Sequence, residues 1–298
     1  MANLCNVDGV VTPEADARIP VLDRGFLFGD SIYEVVRTHG QVPFGWPEHW
    51  QRLQASAAAL RLRLDLGERE VARRVAATLA AADHGDSYVR IIVTRGTGQS
   101  PSIDLAQAGS TPRWVVFVRR LATPPTDVRL CIVDRLRVDR RALDPATKSG
   151  NYLNNVLALA EAKDRGGTDC LMCNGEGNIT EASTANVFAR LDGVWCTPPL
   201  TAGILAGVTR ALLLEFLPTV GERTAERDLR PQDLRRADEI FLSSTLRDIG
   251  PVTHLDGQPV AGGKGAPRAL QLLQRFRERI AQRLREHDEP RWRGLVSG

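Results

Sequence analysis

Lysine is almost missing from this chain. Of 39 basic residues, only Lys148, Lys163 and Lys264 are lysines, so arginine carries nearly all the positive charge. Cysteines number five, an odd count without the spacing of a disulfide framework, which points to reduced thiols in a cytoplasm. Cys170-Leu171-Met172-Cys173 has the spacing of a redox pair, but it falls in a β-like run instead of at a helix start. Core packing is the expected role for it. The five histidines show no metal-ligand spacing, so no metal is expected. No apolar run reaches membrane-spanning length and the N-terminus lacks a signal-peptide pattern, so neither a membrane nor export is expected. Net charge is only +3, with basic residues scattered, which argues against a nucleic-acid partner. Internal repeats are absent, and low complexity is confined to a short loop over 261–266.

What the chain does have is core-forming material: 298 residues, 43% hydrophobic, enough for two α/β domains. A linker is expected at 121–127, where Leu121-Ala122-Thr123-Pro124-Pro125-Thr126-Asp127 combines two prolines with small polar residues. Residues 1–120 then form a smaller N-terminal α/β domain and 128–298 a larger C-terminal one. In the first, 4–11 reads as a hairpin turned at Asp8-Gly9, 22–29 as a glycine-bearing loop, and 32–38 as a strand. Pro47 opens a helix whose apolar stripe is Trp50, Leu53, Ala57 and Leu60. A second helix spans 68–82, and strands span 88–94 and 113–120. In the second domain, strands are expected at 128–133, 168–172, 186–191, 194–196 and 239–242. Helices are expected at 151–163, 210–217 and 267–285.

Two of the three lysines have ordinary explanations. Lys163 closes a helix, where a cation meets the helix dipole. Lys264 lies in a Gly-Gly-Lys-Gly loop. Lys148 has neither. In a chain so committed to arginine, lysine at 148 marks a place where a primary amine must lose its proton and act as a nucleophile. A solvated loop lysine is the competing reading. Other positions carry two readings as well. Arg52 is a surface arginine or an anion ligand with a fork that matches phosphate oxygens. Tyr152 packs in a core or sits near the Lys148 amine. Thr209 caps a helix, or the Val208 and Thr209 amides at that helix start bind an anion. Ser244 and Thr245 make a turn or donate to the same anion. Arg90 and Arg95 fall on opposite faces of one strand and, with Arg24, are structural or meet a substrate carboxylate near Tyr33.

These positions fall in runs that resemble the class IV, fold type IV, pyridoxal-phosphate aminotransferases. The resemblance covers most of the chain. It rests on Phe28-Gly29-Asp30-Ser31-Ile32-Tyr33-Glu34, Glu48-His49-Trp50-Gln51-Arg52-Leu53 and Lys148-Ser149-Gly150-Asn151-Tyr152. Glu181-Ala182-Ser183-Thr184-Ala185-Asn186-Val187-Phe188, Leu205-Ala206-Gly207-Val208-Thr209-Arg210 and Ser243-Ser244-Thr245 complete it in family order. It implies pyridoxal 5'-phosphate as cofactor, with Lys148 as its covalent anchor and base, and Glu181 on the pyridine nitrogen. It also implies Arg52, Val208, Thr209, Ser244 and Thr245 around the phosphate, and Tyr152 by the ring oxygen. The expected reaction is ping-pong transamination between an amino donor and a 2-oxo acid, in a homodimer.

Within the family, Thr94-Arg95-Gly96-Thr97 and Ser243-Ser244-Thr245 look more like the D-amino acid enzymes, which predicts D-amino acid or (R)-amine donors. The tyrosine- and glycine-rich pattern and the Gly-Thr-Ala-Ala turn of the branched-chain L-amino acid enzymes are absent. Also absent are the Arg-x-His carboxylate trap of well-known bacterial D-enzymes, where Ser100-Pro101-Ser102 stands, and the Arg-Gly-Tyr run of aminodeoxychorismate lyase. A branched-chain L-amino acid aminotransferase and a pyridoxal-phosphate lyase are the alternatives. A lyase would make product with no 2-oxo acid present.

Overall fold

A computed structural model describes residues 3–263 and 265–297; Lys264 lies outside the described residues. Helices and sheets are mixed in two compact units. The first comprises Met1–Thr123, Thr147–Asn151 and Ile280–Gly298; the second comprises Pro124–Ala146 and Tyr152–Arg279. The chain first passes from one unit to the other between Thr123 and Pro124. The chain crosses again around residues 147–151, so Lys148 belongs to the first unit and Tyr152 to the second.

The first unit begins with β1 (Leu4–Val7) and β2 (Val10–Pro13), an antiparallel hairpin. Its turn residues Asp8 and Gly9 have φ of 53° and 98°, the left-handed conformations an Asp-Gly hairpin turn requires. Then come α1 (Arg24–Phe28), β3 (Ser31–His39), β4 (Val42–Pro43), α2 (Trp46–Ala59), α3 (Glu68–Ala82), β5 (Ser87–Thr94) and β6 (Arg113–Arg120). The strands form one sheet in the order β2-β1-β6-β5-β3-β4. Alternation along β3, β5 and β6 turns Ile32, Val36, Val89, Ile91, Val116 and Val118 into a core. Leu53 and Ala57 of α2 join it, as do Val71, Val75 and Leu79 of α3.

The loop expected at 22–29 contains α1. Asp23 caps it by accepting from the Gly25 amide at 2.8 Å, and Gly29 ends it in the left-handed conformation. Five residues are too few for a visible apolar period.

The second unit contains β7 (Arg129–Ile132), α4 (Leu153–Asp164), β8 (Asp169–Cys173), β9 (Ile179–Ala182), β10 (Asn186–Leu191) and β11 (Val194–Thr197). There follow α5 (Val208–Thr219), β12 (Arg223–Glu226), α6 (Pro231–Arg235), β13 (Glu239–Ser244) and β14 (Asp248–Pro251). β7 and β8 are parallel, with α4 as the crossover that parallel strands need. β10 pairs with β9, β11 and β13, which makes it the hub of the sheet. Phe188 on β10 stacks on Phe241 of β13 at 4.8 Å between ring centroids. Cys170 is buried under α4 with Cys131, and burial pushes its thiol up to about 12, away from redox chemistry.

α5 starts at Val208, two residues before the sequence expectation, because Gly207 serves as its N-cap. The last helix, α7 (Pro267–Arg283), runs on through a π turn at Leu284–Asp288 into α8 (Glu289–Val296). Trp292 of α8 meets Trp46 edge-on at 5.0 Å, which anchors the C-terminus in the first core. Among the described residues, no helix is long and apolar enough to cross a membrane.

Candidate active site

In the first unit, Lys148 is set by backbone pairing. The Tyr33 amide donates to the Lys148 carbonyl at 2.9 Å, and the Gly150 amide donates to the Ser31 carbonyl at 2.8 Å. The Lys148 amide itself donates to Ser56 Oγ at 3.1 Å. Residues 147–151 therefore run against the start of β3. Gly150 permits that approach, since a Cβ there would fall 2.3 Å from Ser31 Oγ and 3.2 Å from the Gly29 carbonyl oxygen.

This pairing puts Lys148 Nζ 3.4 Å from Tyr33 Oη and 4.4 Å from the centre of its ring. Tyr33 is paired with Ile92, so Arg90, two residues along β5, shares its face. The Arg90 guanidinium carbon lies 4.0 Å from the Tyr33 ring centre, and its Nε is buried without a hydrogen-bond partner. An amine, a phenol and an arginine are thereby brought together.

Glu34, the next residue of β3, is fully buried against α2. Its Oε1 and Oε2 accept from Arg52 Nε and Nη2, both at 2.7 Å, and His49 Nδ1 lies 2.7 Å from Oε2. Burial alone would raise the Glu34 carboxyl, but the charge and hydrogen bonds of Arg52, with His49, outweigh it and hold it at about 2. Burial lowers His49 below its ordinary 6.5 despite Glu34.

Both shifts have the same consequence. As pH falls through 6.5, the unfolded chain takes a proton at this histidine before the folded chain does. Below 4.5 the same holds for Glu34, down to about 2. Stability should thus be lost on acidification in two stages. Replacing His49 by Gln should flatten the upper stage in a series of melting temperatures against pH. An unchanged slope just below pH 6.5 would show that His49 is not its source.

Arg24 and Arg95, expected as possible substrate ligands, have other work. Nε of each pairs with Asp30 Oδ2, at 2.9 and 2.7 Å. Arg24 Nη1 donates to the Ser102 carbonyl at 2.6 Å and Nη2 to that of Ile103 at 3.1 Å. Arg95 donates to the carbonyls of Arg61 and Leu60 at 2.8 and 2.7 Å. These forks clasp the loop after β5 and the end of α2. Neither belongs to the Lys148–Tyr33–Arg90 cluster.

In the second unit, Glu181 of β9 is buried and held on both oxygens. Arg137 Nη2 lies 2.8 Å from Oε1, while Asn186 Nδ2 and the Leu205 amide donate to Oε2 at 3.1 and 3.0 Å. Asn186 faces Glu181 across β9 and β10, and its Nδ2 also donates to the Leu205 carbonyl at 3.0 Å. Gly207 allows this, because a Cβ there would sit 2.0 Å from Asn186 Oδ1. The segment fixed on Glu181 leads directly into α5, whose Gly207 cap offers no side chain to the amides of its first turn.

Asn186 also pairs with Ser243 on β13, whose Oγ is buried without a partner. Ser244 and Thr245 follow at the β13–β14 turn. Tyr152 caps α4, half-buried. Sequence reasoning missed Arg137, which lies in an irregular stretch among other arginines and has no local signal. It quoted Glu34 and Asn186 inside motifs but gave them no role.

Residues 31–255 match the amino-transferase class IV family. The chain is 34% identical over 279 residues to D-alanine aminotransferase of Listeria monocytogenes, covering 93% of this chain and 96% of that one. It is 32% identical over 276 residues to a provisionally named branched-chain-amino-acid aminotransferase of Methanocaldococcus jannaschii, covering 91% and 94%. Its fold matches the branched-chain aminotransferase of Thermoproteus uzoniensis, solved with norvaline, with a TM-score of 0.86 at 26% identity and 97% coverage of both chains. The chain thus belongs to the class IV aminotransferases and is a transaminase that works with pyridoxal phosphate.

Proposed function

We propose that this transaminase moves amino groups from D-amino acids to 2-oxo acids, with Lys148 as the reactive amine and Arg90 as the ligand of the donor's carboxylate. The observation that carries the reading is Arg90 lying over Tyr33 beside Lys148, with Nε unsatisfied. A buried Nε–H left without a partner on a half-buried arginine is costly unless an acceptor such as a carboxylate reaches it. Arg24 and Arg95 are committed to Asp30 and to backbone carbonyls, so they leave this task to Arg90.

The chain's donors also fit the cofactor: an amine in Lys148, a carboxylate in Glu181, and unsatisfied or uncapped groups at Ser243 and the start of α5. When bound, pyridoxal phosphate supplies an aldehyde that condenses with amino groups and a ring that delocalises the electron pair left at Cα. Lys148 Nζ then takes the donor's Cα proton, with Tyr33 Oη as its hydrogen-bond neighbour. Glu181, its oxygens fixed by Arg137 and Asn186, would keep a proton on the ring nitrogen. Arg52, the Val208 and Thr209 amides, Ser244 and Thr245 would hold the phosphate, and the Tyr152 hydroxyl would serve the ring oxygen. Glu34 orients Arg52 through both carboxylate oxygens.

The hand of the donor rests on the likeness at Thr94-Arg95-Gly96-Thr97 and Ser243-Ser244-Thr245 and on the Listeria relative. The branched-chain L-amino acid reading is the second, favoured by the Methanocaldococcus and Thermoproteus proteins. The exposed Leu153, Val156 and Leu157 of α4 support a homodimer, and the reduced cysteines support a cytoplasmic location.

A panel of amino donors in both enantiomers, with pyruvate and 2-oxoglutarate as acceptors, separates these readings. D-alanine should react with a high Michaelis constant, because Ser100 and Ser102 stand where a fuller carboxylate trap would be. An (R)-arylamine should be detectable. Arg90→Met should raise the D-alanine constant roughly 10- to 100-fold and leave the arylamine unaffected. Faster reaction with L-leucine or L-valine than with any D-amino acid would establish the branched-chain reading instead.

A further inference from the structure

Asp169, at the start of β8, is a buried carboxylate that accepts five hydrogen bonds and has no role among those assigned above. It is 2% exposed, yet both oxygens are occupied by different parts of the second unit. Oδ1 accepts from Ser183 Oγ at 2.6 Å, from the Ser183 amide at 3.2 Å and from its neighbour's amide, Cys170, at 2.9 Å. Oδ2 accepts a fork from Arg247, Nη1 and Nη2 both at 3.1 Å.

The two partners lie next to the two functional ends of this unit. Ser183 stands two residues after Glu181. Its carbonyl accepts from Asn155 Nδ2 at 2.9 Å, Asn155 Oδ1 accepts from Arg137 Nη1 at 3.1 Å, and Arg137 closes on Glu181. Arg247 stands two residues after Thr245 in the β13–β14 turn, and its amide donates to the Ser244 carbonyl at 3.2 Å, closing the turn that carries Thr245. One carboxylate thereby ties the end of the Glu181 strand to the Ser244–Thr245 turn.

We infer that Asp169 is a positioning residue that holds the Ser244–Thr245 turn in register with Glu181, so that phosphate and pyridine nitrogen are gripped at a fixed separation. This rests on the assignment of Glu181 and Thr245 to the cofactor. A mere stability role would leave a simpler arrangement sufficient, since a buried ion pair adds little net stability over apolar packing. What it supplies is geometry. Both terminal nitrogens of Arg247 converge on the one oxygen that Ser183 leaves to them, a charge-assisted contact that holds the guanidinium in place, and the Arg247 end of this chain of bonds reaches the turn.

The test uses apoenzyme titrated separately with pyridoxal phosphate and with phosphate-free pyridoxal, followed by absorbance. Asp169→Asn retains an acceptor for Ser183 but removes the charge that orients Arg247. It should shrink the preference for the phosphorylated ligand by about 10- to 100-fold, with pyridoxal affinity changed by about twofold at most. Arg247→Met should give the same narrowing, and serves if Asp169→Asn does not fold; Arg247→Lys should recover part of it. General destabilisation would weaken both ligands together and leave their ratio unmoved. An unchanged ratio in the folded variants, beside a clear wild-type preference, overturns this inference alone. Equal wild-type affinities for the two ligands would overturn the phosphate assignment itself, and the inference with it.

Discussion

Lys148→Ala should lower transamination by about four powers of ten, the top of the range for loss of a positioned acid–base group. In the proposed assignment the same amine anchors the cofactor and moves the Cα proton, so both tasks would fail together. Backbone pairing of residues 147–151 with β3 leaves alanine free to adopt the same conformation, and folding should survive. Single-turnover measurements with D-alanine, alongside a melting curve, separate the two effects. A loss below tenfold in a folded variant would mean that another group does the chemistry.

Glu181→Gln should slow the same half-reaction by about 10²–10³-fold, because an uncharged amide no longer keeps the ring nitrogen protonated. The variant also leaves Arg137 with its charge unpaired in a buried site, which costs about 3–5 kcal/mol of stability. Adding Arg137→Gln should restore much of the stability and none of the rate. Recovery of rate in the double variant would assign Glu181 a structural task only. Asn186 and the Leu205 amide hold the other oxygen in either case, so the side chain at 181 keeps its place.

The arginines show where sequence reasoning stops. Lys148 could be singled out because lysine is scarce, and Glu181 and Arg52 because they fall in recognisable runs. Arg24, Arg90 and Arg95 were equivalent candidates by position. Only tertiary partners divide them: Asp30 takes two, and Arg90 alone keeps an unsatisfied Nε over Tyr33. Arg137 was invisible for the same reason, since its partner Glu181 lies far along the chain and no spacing links them.

Secondary structure was legible where a period could be read, as over β3, α2, α3, β5 and β6. It failed for α1, although Asp23 and Gly29 were both there as its capping signals, and for the extension of α7 into α8. The return of residues 147–151 to the first unit is a matter of backbone pairing with Ser31 and Tyr33. Composition and spacing carry no trace of it.

The central claim is that Lys148 is the amine on which this enzyme holds pyridoxal phosphate. Borohydride reduction of the holoenzyme, followed by proteolysis and peptide mapping, tests it without relying on any variant or substrate. A pyridoxyl group on the peptide containing Lys148, and on no other, is the predicted result. A pyridoxyl group on Lys163 or Lys264 instead would contradict the account.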